Sequence, residues 1–118
     1  MPLTSLNAIS PIDGRYNNKT KQLNDYFSEY ALIRYRVIVE LRWLQQLAVN
    51  PGINEVPSFT EAADSFIESL IDNFDENDAQ AIKDTEAVTN HDVKAVEYFI
   101  KDKLSENNEL APILIIFR

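Results

Sequence analysis

Cysteine is absent from this sequence of 118 residues, and histidine occurs only once. Without cysteine there can be no disulfide, thiolate metal site or cysteine nucleophile, and one histidine cannot build a histidine-based zinc site. Long apolar runs are also absent, and residues 1–10 lack the basic and apolar pattern of a secretion signal. We therefore expect a cytoplasmic protein that has no metal site and does not associate with a membrane.

Positive charge is scarce, because 11 lysines and arginines face 19 aspartates and glutamates, which gives a formal net charge of −8. This balance repels phosphate backbones, and no basic stripe offsets it, so nucleic acid is not an expected partner. A hydrophobic fraction of 45% and a charged fraction of 25% are typical of a globular domain. A chain of this size can bury one core, so we expect one domain or part of one.

The longest helical pattern lies in residues 20–49. Its apolar positions alternate steps of four and three, as on one face of a bundle helix. They are Leu23, Phe27, Tyr30, Val37, Leu41, Leu44 and Ala48. The Asn-Pro-Gly sequence at residues 50–52 is expected to end this helix, because proline lacks an amide donor and glycine tolerates positive φ. The aromatic side chains on or beside this stripe are expected to pack; they are Tyr26, Tyr35 and Trp43. The arginines are expected to pair with Glu29, Glu40 or neighbouring helices; they are Arg34, Arg36 and Arg42.

Three further helices are predicted, and no segment alternates as a strand would. The second helix is expected to begin at a capping box of Ser58 and Glu61. Its apolar face is predicted to be Ala62, Phe66, Leu70 and Ile71. A third, shorter helix follows with Asp75 as its cap, and a fourth begins at Thr89 or Asn90. The pattern therefore predicts an all-α fold.

The chain divides into three segments on this pattern. Residues 1–18 form a leader rich in turn-forming residues, and residues 19–111 form the helical domain. Residues 112–118 end in five consecutive apolar residues followed by arginine, which do not fit a self-contained domain. We interpret this tail as the result of a truncation or a frameshift, with packing back onto the helices as the alternative.

A first candidate site lies in the leader, in the sequence Ser-Pro-Ile-Asp-Gly-Arg-Tyr of residues 10–16. The Asp-Gly pair permits a tight turn that presents Arg15 and Tyr16 together. A guanidinium offers a planar pair of donors and a phenol adds a hydroxyl, a combination that suits a phosphate or a carboxylate. The alternative is a surface turn that only docks the leader onto the helices.

A second candidate site is the polar sequence Thr-Asn-His-Asp of residues 89–92, at the predicted start of the fourth helix. Unpaired amides and the helix dipole favour an anion there. The same environment disfavours an imidazolium, so His91 is expected to be mostly neutral, with Asn90 and Asp92 adding polar reach and Lys94 adding positive charge. The alternative is that Thr89 or Asn90 caps the helix and that His91 is incidental.

Three segments, taken in order, resemble the adenylosuccinate lyase family of the fumarase and aspartase superfamily. They are SPIDGRY in the leader, FSEYALIRYRVIVELRWLQQLA in the long helix and TNHDVKAVEYFIKDKL in the fourth helix. The resemblance covers about residues 3–110 and is to the N-terminal domain of the longer bacterial form. It implies a helical N-terminal lyase domain over residues 19–111, truncated before the central helical bundle.

The resemblance also implies an activity and an assembly. Members of this family take part in purine biosynthesis and cleave adenylosuccinate to AMP and fumarate, and the succinylated imidazole carboxamide ribotide in the same way. They need no cofactor, act on a purine nucleotide substrate, and form homotetramers whose active sites are shared between subunits. Matching residue by residue, Arg15, Tyr16, Asn90, His91 and Asp92 correspond to substrate contacts.

The resemblance implies a catalytic pair made of a serine on a mobile loop and a histidine further along the chain. Neither segment occurs in this sequence. General acid and base catalysis by two groups cannot be carried out by one histidine, so His91 is at most an accessory group. We expect this chain alone to be inactive. A non-catalytic helical interaction module and a truncated relic are the competing interpretations.

Overall fold

The computed structural model describes residues 2–113, which form six α-helices joined by turns and contain no strand. The helices are α1 (Asn17–Thr20), α2 (Asn24–Phe27), α3 (Glu29–Val49), α4 (Glu61–Asp72), α5 (Glu76–Thr89) and α6 (Asp92–Leu104), with a 3-10 helix over Lys21–Leu23. Two compact units are present, Met1–Leu32 and Ile33–Arg118. The predicted all-α fold is confirmed. In the tail of residues 112–118, Ile113 is buried, and residues 114–118 lie outside the part of the chain that the structure describes.

The first unit corrects the prediction of one unbroken helix over residues 20–49. Ser28 has extended backbone, with ψ of 169°, and its hydroxyl accepts a hydrogen bond from the amide of Ala31 at 3.1 Å. A serine that caps in this way starts a new helix, so α3 begins at Glu29. Upstream of this break, Leu23 and Phe27 are 49% and 82% exposed instead of lying in a buried face.

The second unit is built around the buried face of α3. Val37, Leu41, Leu44 and Ala48 are all at most 4% exposed, as their spacing predicted. Each buried aliphatic side chain of this size contributes roughly 1.5–3 kcal/mol through the hydrophobic effect. The side chains that share the core with them come from α4, α5, α6 and the segments around these helices; the largest of those that are fully buried are Val56, Ile67, Ile82, Val96, Ile100, Leu104 and Leu110.

The exposed face of α3 was wrongly predicted to pack. Tyr35, Val39 and Trp43 are 40%, 63% and 60% exposed, and they lie opposite the buried stripe of the same helix. Tyr26, on α2, is also exposed, at 62%. The spacing identified the buried stripe correctly, but the apolar residues opposite it gave no sign that this second face is left exposed.

Ion pairs and hydrogen bonds fix the directions of the neighbouring helices. Arg42 pairs with Glu68, and the amide of Gln45 donates to Asp64 at 3.4 Å, so α4 runs antiparallel to α3. Arg36, in an early turn of α3, pairs with Asp92 at the start of α6. The pairing of Arg36 and Arg42 with neighbouring helices is therefore confirmed.

The start of α4 and the length of α5 differ from the prediction. Thr60, not Ser58, caps α4, because its hydroxyl accepts from the amide of Ala63 at 3.2 Å. The buried face is Ala63, Ile67 and Ile71, so only Ile71 of the four predicted positions belongs to it. Asp75 caps α5 as predicted, but the helix continues for 14 residues to Thr89.

Glu109 links the end of the described chain to the start of α4. Its carboxylate accepts one hydrogen bond from the amide of Thr60, at 2.9 Å, and another from the Thr60 hydroxyl. These bonds, first that from the hydroxyl and then that from the amide, hold the pKa of Glu109 below its ordinary value. A carboxylate thus supports the capping residue of α4 across 49 positions of sequence.

The substitution Glu109→Gln is expected to lower the free energy of unfolding at neutral pH, because an amide oxygen cannot replace both carboxylate oxygens. The charged form is favoured in the folded state, so its stabilisation is lost as the pH falls through the lowered pKa. Urea unfolding followed by circular dichroism should show a difference at neutral pH that shrinks in acid. Glu106→Gln, in the same polar run, is the control. Equal midpoints for Glu109→Gln and the parent chain at neutral pH would contradict the prediction.

Candidate functional site

The leader turn is held by backbone hydrogen bonds around Gly14. The carbonyl of Ser10 accepts from the amides of Asp13 and Gly14 at 3.1 and 3.0 Å, and the carbonyl of Pro11 accepts from Tyr16 at 2.9 Å. Gly14 is buried, and a Cβ placed there would lie 3.1 Å from the carbonyl oxygen of Ser5. A side chain at this position would crowd the Ser5 carbonyl, so space and not a positive φ favours glycine here.

Arg15 and Tyr16 leave this turn side by side, as predicted. The guanidinium carbon of Arg15 lies 4.8 Å from the centroid of the Tyr16 ring, in a cation–π contact. Both side chains are exposed, Tyr16 to 43%. Stacking on the phenol limits the freedom of the guanidinium without occupying its N–H donors, which leaves them able to bind an anionic group.

The second cluster forms the joint between α5 and α6. Asn90 ends α5 in the left-handed conformation, with φ of 54°, and its amide donates to the carbonyl of Glu86 at 2.8 Å. Among the described residues that are not glycine, it alone has positive φ. Asparagine tolerates this conformation better than most side chains, so its role in the backbone is to reverse the chain between two helices.

His91 is the cap of α6, and this corrects the idea that Thr89 or Asn90 caps the helix while His91 is incidental. Its Nδ1 accepts a hydrogen bond from the amide of Lys94 at 3.3 Å. The Thr89 hydroxyl accepts from the amide of His91 at 3.3 Å and donates to its carbonyl at 3.2 Å. A ring nitrogen that accepts carries no proton, so the neutral ring has its proton on Nε2.

This tautomer defines what the exposed His91 ring can do. Its Nε2 is a donor, and within residues 2–113 no hydrogen bond occupies it. Such a group can bind a carboxylate, phosphate or carbonyl oxygen. The Lys94 ammonium adds less charge than expected, because it lies 3.2 Å from a carboxylate oxygen of Glu97 and over the ring of Tyr98.

Both carboxylate oxygens of Asp92 are occupied. Oδ1 accepts from the amide of Val93 at 2.8 Å, and Oδ2 lies 3.0 Å from a guanidinium nitrogen of Arg36. The amide of Val93 and then the charge and hydrogen bond of Arg36 hold the pKa of Asp92 below its ordinary value, against the opposing effect of burial. Sequence reasoning expected Arg36 to form an ion pair but did not connect it with this cluster. The missing signal is tertiary, because 56 positions separate the two residues.

The two clusters belong to different compact units, Arg15 and Tyr16 to the first, and Asn90, His91 and Asp92 to the second. The substrate-contact role of all five residues stays a prediction. In the described part of the chain, no three His, Asp or Glu side chains come together as metal ligands. The helices of residues 2–113 include none that is long and apolar enough to cross a membrane.

Residues 2–113 are helical, and with these motifs in this order they are consistent with a helical N-terminal domain of a lyase. Comparison with curated proteins then shows which lyases the chain is similar to. Over 110 residues, the chain is 57% identical to adenylosuccinate lyase of Legionella pneumophila (strain Corby), 53% to that of Vibrio cholerae serotype O1 and 52% to that of Escherichia coli (strain K12).

These matches cover 93% of this chain and 24% of each relative, so the chain spans about a quarter of the length of the curated relatives it matches. No family model matches the chain. The chain is homologous to adenylosuccinate lyases over nearly all of its length, and the resemblance stated from its motifs is confirmed.

The hydrogen bond to Nδ1 predicts the tautomer of His91. Ring nitrogen NMR on the labelled chain at neutral pH should show Nδ1 without a proton and Nε2 with one, because the Lys94 amide donates to Nδ1. The assignment is direct, since the chain contains a single histidine. Detection of the proton mainly on Nδ1 would contradict the hydrogen bond by which His91 caps α6.

Proposed function

We propose that this chain is the N-terminal part of an adenylosuccinate lyase, an enzyme of purine biosynthesis that cleaves adenylosuccinate to AMP and fumarate. The complete enzyme would also cleave the succinylated imidazole carboxamide ribotide. The observation that carries the proposal is 52–57% identity to proteins named adenylosuccinate lyase over 93% of the chain. The cytoplasm is its proposed location and a homotetramer its proposed assembly.

In this proposal, Arg15, Tyr16, Asn90, His91 and Asp92 contact the substrate. Adenylosuccinate carries carboxylates and a phosphate, and the exposed donors of Arg15 and His91 suit such acceptors. Asn90 fixes the turn that presents His91, and Asp92 anchors the start of α6. The reaction is a β-elimination, in which a base removes a proton beside a carboxylate and an acid protonates the departing nitrogen.

The proposal assigns neither proton transfer to this chain. His91 has one ring nitrogen committed to the Lys94 amide, which leaves a single nitrogen for any exchange with a ligand. The base and the acid of the elimination act on different atoms of the substrate, and the proposal places both groups in the unmatched part of the enzyme. We therefore propose that residues 1–118 supply substrate contacts, and that activity requires the remaining three quarters of the enzyme.

Co-expression tests this proposal. The chain is produced alone and together with a second chain that carries the unmatched part of the Escherichia coli K12 enzyme, and fumarate release from adenylosuccinate is followed by ultraviolet absorbance. Activity is expected only in the co-expressed pair. A soluble pair that co-purifies but releases no fumarate would overturn the proposal that the chain supports this reaction.

Within the active pair, Arg15→Ala and His91→Ala are each expected to lower kcat/KM by about ten- to a hundredfold, as the loss of a charge-assisted or directed contact does. Lys101→Ala, near the far end of α6, is a control that also removes a cation from this acidic chain. Steady-state rates over a range of adenylosuccinate concentrations measure the effect. Parent-like kinetics for both Ala variants would remove these residues from the site.

A second candidate function is that of a non-catalytic helical interaction module. The exposed apolar stripe of Tyr35, Val39 and Trp43 on α3 favours it, because monomeric proteins rarely leave large contiguous apolar surface uncovered. Two results together would favour the module. The co-expressed pair would release no fumarate, and the chain would retain a bound protein that the substitution Val39→Glu releases. A chain that is folded, inactive and without a partner would be a relic.

A further inference from the structure

The contact between Arg36 and Asp92 ties α3 to the joint that carries His91. Arg36 lies in the second turn of α3, and Asp92 is the first residue of α6, directly after His91. The distance of 3.0 Å joins a guanidinium nitrogen to Oδ2, while Oδ1 holds the amide of Val93. The Asp92 side chain is therefore fixed at both oxygens, from its own helix and from a neighbouring one.

This ion pair is poorly placed to stabilise the fold as a whole. The side chains of Arg36 and Asp92 are 32% and 47% exposed, and ion pairs with this much exposure contribute little to the free energy of unfolding. The buried side chains beneath α3 are apolar, and neither Arg36 nor Asp92 is among them. What the pair can determine is the local geometry of the first turn of α6.

The ion pair between Arg36 and Asp92 also attracts α3 to the start of α6. Further along the same two helices, Glu40 faces Glu97, and burial together with the charge of Glu97 raises the pKa of Glu40. Like charges there oppose close packing, whereas Arg36 and Asp92 attract. The charges therefore attract α3 to the first residue of α6 and repel it further along that helix.

We propose that Arg36 is a positioning residue, which holds Asp92 and thereby fixes the turn that presents Nε2 of His91 to an acceptor group of the ligand. The role of that turn in substrate binding rests on the proposed function. The fixing of the turn itself rests only on the ion pair and the hydrogen bonds of this chain.

The matched control for Arg36 is Arg42 on the same helix. Arg42 is also an arginine that pairs with a carboxylate of a neighbouring helix, Glu68 of α4, and it lies away from the joint. Arg36→Gln and Arg42→Gln each remove one charge and one exposed ion pair. Arg36→Lys keeps the charge and can restore a single contact to Asp92, although without the planar geometry of a guanidinium.

The first arm of the test uses the chain alone. In Arg36→Gln, amide and ring NMR should show shifted Val93 and Lys94 amides and a His91 ring that exchanges between tautomers, while the core methyl signals stay in place. Arg42→Gln should leave the signals of all three residues unchanged, and Arg36→Lys should restore them in part. Parent-like signals of these residues in Arg36→Gln would overturn the proposal.

The second arm uses the co-expressed pair. Arg36→Gln is expected to raise KM for adenylosuccinate about tenfold with kcat changed much less, because a misplaced binding group weakens association more than chemistry. An equal effect of Arg42→Gln would show that both variants act through general stability and would overturn the positioning role. If the parent pair is inactive, the proposed function fails, and the NMR arm still decides whether Arg36 fixes the turn.

Discussion

The burial of one face of α3 is the constraint on which the second unit depends. Val37, Leu41, Leu44 and Ala48 form the strip against which the later helices place their own apolar side chains. The polar contacts are arranged around it, with Arg42 and Gln45 toward α4 and Arg36 toward α6. These contacts are exposed and individually weak, so they set direction and register on a core whose stability comes from apolar burial.

The polar joint between α5 and α6 shows how a short segment serves backbone and site together. Asn90 adopts the left-handed conformation that reverses the chain, and His91 accepts the bond that starts the next helix. Each residue therefore has a structural task that explains its presence without any ligand. The same tasks leave Nε2 of His91 as an exposed donor, which is how a capping residue can also serve as a binding group.

Sequence reasoning succeeded where a local pattern has one physical outcome. The buried stripe of α3, the capping of α5 by Asp75 and the presentation of Arg15 beside Tyr16 all follow from spacing and neighbouring residues. It failed where two local solutions compete. Ser28 caps α3 within what reads as a continuous apolar period, and Thr60 caps α4 although Ser58 with Glu61 has the right spacing. Glu109 supports Thr60 from 49 positions further along the chain, so no rule that considers only neighbouring residues can predict this contact.

Composition and periodicity alone determined that this chain is helical and lacks cysteine chemistry, and its motifs determined the family it resembles. Helical spacing and turn residues act over a few positions, so the sequence shows them directly. Only the tertiary structure decided that the opposite face of α3 stays exposed, that Glu109 supports Thr60 as the cap of α4, and that Arg36 reaches Asp92. Those outcomes depend on contacts between residues far apart in sequence, whose energies become available only when the helices pack together.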